Sequence, residues 1–533
     1  MNGHYSHRSG RQPVLARNVV ATSQPLASQA GAAAFARGGN AIDAALAAAI
    51  TLTVVEPTMN GIGGDAFALV WDGKALQGLN ASGRAPAAWN PKRFAGLAKM
   101  PALGWESVTV PGTVSAWVAL SGRYGALPFD DLFVDAVRHA RAGFPVSPVI
   151  ARQWFDQSKL LHAEPGFDAF MPNGRTPRAG EIWRFADQAR TLEEIARTRG
   201  ASFYDGRLAA AIVAFSAANG GVMSAADLSG HRCAWVDPIE VGFEGHAVHE
   251  IPPNGQGIAA LMALGLLAEL PYAEAAPGSA ARMHLEIEAM RMAFADLHAH
   301  VADPASMRVT PSQLLDRSYL RGRAKGIVLG RTGTYAAGQP ASGGTVYLCT
   351  ADAEGRMVSF IQSNYKGFGS GVVVPGTGIA MHNRGFGFVT KAGHPNEVAG
   401  GKLPLHSIIP AFMTKGGQPE MAFGVMGGNM QAQGHTQMVL RRVVEGLDPQ
   451  ACADAPRWRI DDTGELTLEP TVPSSVIEGL QAMGHRPRVA APDNLDFGSA
   501  QIIVRLDADI VGSDEPVYAA GSDHRRDGQA VGR

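Results

Sequence analysis

The stretch GQPASGGTVYLCTADAEGRMVSF, Gly338 to Phe360, sets a glycine-, proline- and serine-rich segment directly against a β-strand pattern that opens with a threonine. Thr345–Thr350 and Val358–Gln362 read as two strands joined by the turn DAEG. The plain reading is a surface loop that ends at a strand. The sharper reading is a chain cut between Gly344 and Thr345, which would make Thr345 an N-terminal nucleophile. A free α-amine, with an ordinary pKa of roughly 7.7 to 8.0, is partly neutral near pH 7 and can take the hydroxyl proton. The Thr345 hydroxyl can itself attack the Gly344 carbonyl, giving an ester that water opens. Such a rearrangement needs an adaptable segment upstream, and GQPASGG supplies one.

Outward from this junction, the chain changes character. Before it, LASQAGAAAFARGG predicts a helix stopped at Gly38 and Gly39, and Asn40 is placed to cap a second helix that ends before Pro57. NGIGGDAFALVWDGKAL follows as a glycine turn, an apolar strand and an Asp72-Gly73 hairpin turn. Residues 110 to 330 read as mostly helical, ARMHLEIEAMRMAFADLHAHV being an example. After the junction, EMAFGVMG predicts a strand and GNMQAQGHTQMVLRRVVEGL a glycine turn and helix. Helices first and strands later favour an α+β fold or a layered αββα architecture over a doubly wound sheet.

Bulk composition narrows the function. The chain has 533 residues, 46% of them apolar and 18% charged, enough for a large core. Its 46 basic and 48 acidic residues give a net charge of -2, which offers nucleic acid or an anionic membrane no electrostatic footing. Cys233, Cys349 and Cys452 fit neither a disulfide framework nor metal-ligand spacing. His298 and His300 read as helix surface rather than ligands, so no metal and no cofactor is expected. GIGGD and RGGNAID match no phosphate-binding fingerprint. The N-terminus lacks an apolar signal core, and the most apolar run, Ala44 to Val55, is too short to span a bilayer. A cytoplasmic enzyme is the expectation.

Two further regions carry candidate chemistry. MGGNMQAQGH puts Gly427 and Gly428 between a strand and a helix, where two N–H groups can form an oxyanion hole or simply turn the chain. FIQSNYKGFGSGVVVPGTGIAMHNRG carries Ser363, Tyr365, Asn383 and Arg384 among glycines, as a site wall or a series of tight turns.

Together these residues resemble the γ-glutamyltranspeptidase family of N-terminal-nucleophile hydrolases, over nearly the whole chain. GGNAIDAALAAAITLTVVEPTMNGIGGDAFALVW looks like the family's large-subunit signature, and VPGTVSAW, PPNGQGIAAL and EAMRMAFADLHAHVADP also fit. After Thr345, FGSGVVVPGTGI, PLHSIIPAF, MGGNMQAQGH and GSDHRRDGQAVG match the small-subunit half. The resemblance implies a four-layer αββα sandwich assembled from fragments 1–344 and 345–533, which intertwine into one domain, with residues 333–344 as the processing segment. Further pairing of such heterodimers is left open.

Carried over by position, Thr345 becomes the nucleophile, Ser363 stands for a threonine that hydrogen-bonds it, and Gly427 and Gly428 fall on the oxyanion glycines. The substrate half departs. Ser82 stands where the family grips the glutamyl α-carboxylate with arginine, and Arg84 lies two residues on. Tyr365 replaces an asparagine, and Phe386 and Gly387 replace the acidic pair that holds the glutamyl amino group. His406 replaces the first serine of a pair whose second is kept as Ser407. An ammonium buried without a carboxylate is costly. These departures resemble a branch containing oxamate amidohydrolase and cephalosporin acylase-like proteins. Arg384 is then the candidate for a substrate carboxylate, with His406 as a helper, or else one half of a buried ion pair. The donor is a small amide: an oxamate-like acid amide by the site residues, a γ-glutamyl compound by the family. An inactive scaffold protein is the reading from another class.

Overall fold

The computed structural model describes residues 9–335, 344–461, 463–512 and 514–533, with the backbone alone at 344, 345, 508 and 509. Two seven-stranded antiparallel sheets form the centre. One runs, edge to edge, through Gln529–Gly532, Val19–Thr22, Gly344–Ala351, Met357–Tyr365, Asp65–Trp71, Leu76–Ala81 and Ala234–Val236. The other runs through Val14–Ala16, Tyr518–Ser522, Ser499–Arg505, Gln418–Met426, Ala411–Lys415, His246–Glu250 and Ile239–Phe243. Both sheets draw strands from either side of the Gly344–Thr345 bond. The central strands of the two sheets pack face to face.

Helices close both outer faces, completing the four-layer αββα sandwich. Pro25–Ala36 and Ala41–Val55 cover the first sheet. Every residue of Ala41–Val55 is buried, because a row of alanines lets it lie flat between sheet and helices. Its start is fixed as the sequence predicts: the Asn40 side chain accepts from the N–H groups of Ile42 and Asp43, and Asp43 accepts from the N–H of Asn40. A reciprocal cap of this kind stabilises by about 1 kcal/mol. Ile258–Leu267, Met430–Val443 and Pro449–Asp454 cover the second sheet. Among the described residues no helix is long and apolar enough to cross a membrane.

Two details go beyond expectation. The 110–330 region is mostly helical, as expected, but Ala234–Val236 edges one sheet, while Ile239–Phe243 and His246–Glu250 extend the other. All three are short, and Ala234–Val236 and Ile239–Phe243 are half-exposed edge strands, so they lack the continuous apolar run that marks a central strand. The strand expected over Val358–Gln362 continues to Tyr365, which puts Ser363 and Tyr365 on the sheet itself.

Candidate active site

The site is built where three strand ends converge. The pairing of Gly344–Ala351 with Met357–Tyr365 is irregular at its first rung: Gly344 faces Tyr365 and Val346 faces Gln362. Ser363 and Asn364 therefore oppose the single residue Thr345, the pattern of a β-bulge, which re-aims side chains beside active sites. The bulge is held by the Ser363 hydroxyl, which accepts from the Tyr365 N–H at 2.7 Å. Tyr365 pays for the geometry with φ of +77°, a conformation uncommon outside glycine. On its other side Ser363 pairs with Asp65, the first residue of its strand. The segment 336–343 and the Thr345 side chain lie outside the described residues.

Gly427 and Gly428 follow the strand Gln418–Met426 and lead into the helix Met430–Val443. Both have positive φ, +123° and +63°, which side chains rarely adopt. Their carbonyls are engaged: Gly427 accepts from Met430 N–H at 3.1 Å, and Gly428 from Gln431 N–H at 3.2 Å. Their N–H groups are given to no backbone acceptor among the described residues. Gln256 locks this turn, its amide nitrogen donating to the carbonyls of both Gly428 and Ser407.

Arg384 lies fully buried in the short helix Arg384–Gly387. One guanidinium nitrogen donates to the Ser407 hydroxyl at 2.9 Å, and the guanidinium carbon sits 4.0 Å from the centre of the Tyr365 ring. Among the described residues Nε and the other terminal nitrogen have no hydrogen-bond partner, and no carboxylate reaches ion-pair distance. Burial pulls its pKa down to about 10, against the favourable influence of Tyr365 and Asp65. Two donors of a desolvated cation are thus available to one bidentate anion.

Asp65 is the centre of the neighbouring cluster, and neither it nor His382 is anticipated by sequence reasoning. One Asp65 oxygen accepts from the Gly83 and Gly112 N–H groups at 3.2 and 3.1 Å. The other lies 3.0 Å from His406 Nε2 and 3.3 Å from His382 Nδ1. His382 Nε2 faces the Thr109 carbonyl at 2.8 Å, and His406 Nδ1 accepts from Ile408 N–H at 3.4 Å. Both nitrogens of His406 are therefore engaged inside the protein. Burial opposes ionisation of Asp65, but His382 and His406 outweigh it and hold its carboxyl well below the usual range. Burial and the Arg384 charge push His406 down to about 3, against the pull of Asp65.

This cluster carries a stability prediction. The folded His406 refuses a proton down to about pH 3, whereas the unfolded imidazole takes one near 6.5. Its contribution is complete above 6.5 and is lost as pH falls from there toward 3. Asp65 acts in the same direction at lower pH. Urea unfolding at pH 7.5 and 5 should show a loss of which His406→Gln removes on the order of 2 kcal/mol. An unchanged difference in that variant would count against a neutral, enclosed His406.

The other expected residues are placed unevenly. The Ser82 hydroxyl donates to Asn80 at 2.7 Å and receives from the Asn254 amide at 3.2 Å, at the Asp65 end. Asn383 braces the wall, donating to the Ala102 carbonyl at 2.8 Å and accepting from Lys366 N–H at 3.0 Å. Arg84 is not brought in: it is more than half exposed and bound to Asp303 at 3.1 Å. Asn364, unremarked in the sequence, is fully buried with neither side-chain atom hydrogen-bonded among the described residues. A cleft of about 750 Å³ reaches Gly427 from the surface between Gln153, Gln157, Lys366 and Arg459. Among the described residues, His284, Glu288 and His485 are the group that could hold a metal ion.

The family model described as gamma-glutamyltranspeptidase matches residues 27–533. The glutathione hydrolase-like YwrD proenzyme of Bacillus subtilis is 35% identical, covering 97% of this chain and 98% of that protein. The oxamate amidohydrolase proenzyme of Klebsiella pneumoniae is 34% identical, covering 92% and 95%. The crystal structure of cephalosporin acylase from Bacillus halodurans superposes with a TM-score of 0.93 at 45% identity, over 100% of this chain and 99% of that one.

Proposed function

The chain belongs to the γ-glutamyltranspeptidase family of N-terminal-nucleophile hydrolases, and on that footing we propose that it is a self-processing amidohydrolase for the amide of a small anionic acid. Thr345 Oγ attacks the amide carbonyl carbon and its α-amine takes the hydroxyl proton. The N–H groups of Gly427 and Gly428 receive the oxyanion, a role worth a few kcal/mol. The amine passes the proton to the leaving nitrogen as the C–N bond breaks. Water then attacks the Thr345 ester, releasing the acid and restoring the hydroxyl.

One observation carries the choice of acyl group: Arg384, fully buried, with two donors unpartnered among the described residues. A substrate carboxylate satisfies both. The carboxylate beside it, Asp65, already accepts from the Gly83 and Gly112 N–H groups and from His406, with His382 3.3 Å away, and is poorly placed to accept a substrate ammonium. This favours an acid without an α-amino group over a free γ-glutamyl group. The relative named for oxamate hydrolysis supports the same choice.

The cleft at Gly427 favours a second reading for the leaving group. Ammonia needs no cleft of about 750 Å³, whereas a bulky amine would fill it, in keeping with the neighbour named cephalosporin acylase. The test is a matched substrate panel: oxamate, the glutaryl amide of a bulky aromatic amine, and its γ-glutamyl counterpart. Turnover of either non-amino acid amide should exceed that of the γ-glutamyl compound at least tenfold in kcat/KM. A γ-glutamyl preference would return the chain to glutathione-type hydrolysis.

A further inference from the structure

Glu288 lies on the helix Ala280–His300, fully buried, and its carboxylate is spent on the stretch just upstream of the expected processing segment. One oxygen accepts from the Thr332 hydroxyl at 2.9 Å. The other accepts from the Gly333 N–H at 2.7 Å and the Tyr335 hydroxyl at 2.8 Å. Thr332 is also tied from the far side of the cut, its N–H donating to the Met483 carbonyl at 2.8 Å. His485 stands 4.0 Å from Glu288 and shares a 2.7 Å hydrogen bond with His284, which in turn faces the Val328 carbonyl at 3.1 Å.

His284, Glu288 and His485 have the composition of a metal site. A metal would have to take the carboxylate from three donors it already serves, and the 2.7 Å spacing of the two imidazoles is that of a shared proton. The arrangement works as a clamp on Thr332–Tyr335.

We propose that Glu288 is a positioning residue for self-cleavage, holding the upstream end of the segment that presents the Gly344 carbonyl to Thr345. The inference rests on the reading of Thr345 as the cleaving nucleophile. Nine residues, 336–344, separate the clamp from Thr345, and the strand Gly344–Ala351 fixes the downstream end. With the Glu288 contacts removed, the Thr332 N–H still holds the Met483 carbonyl, so the stretch between the nearest upstream anchor and Thr345 grows from nine residues to twelve, 333–344. Thr345 and the Gly344 carbonyl are neighbours in the chain, so what the anchor contributes is the orientation of that carbonyl, and a looser anchor lowers the fraction of chains aligned for attack.

The experiment follows loss of the intact mass of the full-length chain after cell-free synthesis, for the parent, Glu288→Gln and the double variant Thr332→Ala/Tyr335→Phe. Both variants are expected to convert more slowly, by about two-fold or more, while their processed fractions keep the parental kcat/KM and Tm. Conversion at the parental rate would overturn the proposal. So would losses of Tm and kcat/KM in proportion to the slowing, since that is what a merely structural role produces. If Glu288→Gln fails to fold, the double variant, which keeps the carboxylate, decides. A parent that never cleaves removes the Thr345 reading itself, which is a separate result from a parent that cleaves beside equally fast variants.

Discussion

Purified parent protein is expected to show two masses under denaturing conditions, residues 1–344 and 345–533, and Thr345→Ala a single intact chain. The variant should lose activity by roughly 10⁴-fold or more, the scale seen when a hydrolase loses its nucleophile. The expectation rests on backbone facts. Thr345 stands opposite Ser363 and Asn364 in the bulge, next to Gly344, whose partner Tyr365 is held at positive φ. A sheet interior with no chemical duty has little reason to keep a non-glycine residue in that conformation. Thr345→Ser keeps a hydroxyl and should still cleave. A cut Thr345→Ala chain would sink the mechanism, and an intact, inactive parent would favour the scaffold reading.

How much of this was legible in the sequence depended on whether the backbone or the surroundings set the chemistry. The helix cap at Asn40, the hairpin at Asp72-Gly73 and the glycine pair at 427–428 are local, and residue type alone fixes them. Asp65 was passed over because, in GIGGD, it looks like one more turn residue. Its partners, His382 and His406, are more than 300 positions away, and only the sheet and the loop before Ala411 bring them together. For His406, which stands in place of a serine, the sequence leaves a substrate contact and a structural role both open. In the structure it leans on Asp65 and packs edge-on against Phe67, with ring centres 4.7 Å apart. The strands within 234–250 escape a sequence reading for a different reason: all are short, and Ala234–Val236 and Ile239–Phe243 are half-exposed edges, too weak a pattern to oppose the helical one around them.

Arg384 was the tie that sequence could not break, since a buried arginine is either an ion-pair partner or a receptor for an anion. Its lack of a carboxylate partner among the described residues makes the two readings separable by experiment. Arg384→Met should lower kcat/KM for an anionic amide by roughly 10²- to 10³-fold, the loss of about 3–4 kcal/mol expected for a desolvated, bidentate charge contact. A neutral analogue, with the carboxylate replaced by a carboxamide, should lose far less. Arg384→Lys keeps the charge but not the fork, so its loss should fall between. Stability should move the other way. A guanidinium that is fully buried and only partly hydrogen-bonded costs the folded state, and an apolar side chain of similar length does not. The methionine variant should therefore unfold at an equal or higher temperature than the parent. A fall of several degrees, with anionic and neutral substrates equally affected, would mean that Arg384 holds the fold together and that the substrate's charge is read elsewhere. A gain in stability joined to a selective loss on anions would mean that the fold tolerates a strained cation here for the sake of the acid it binds.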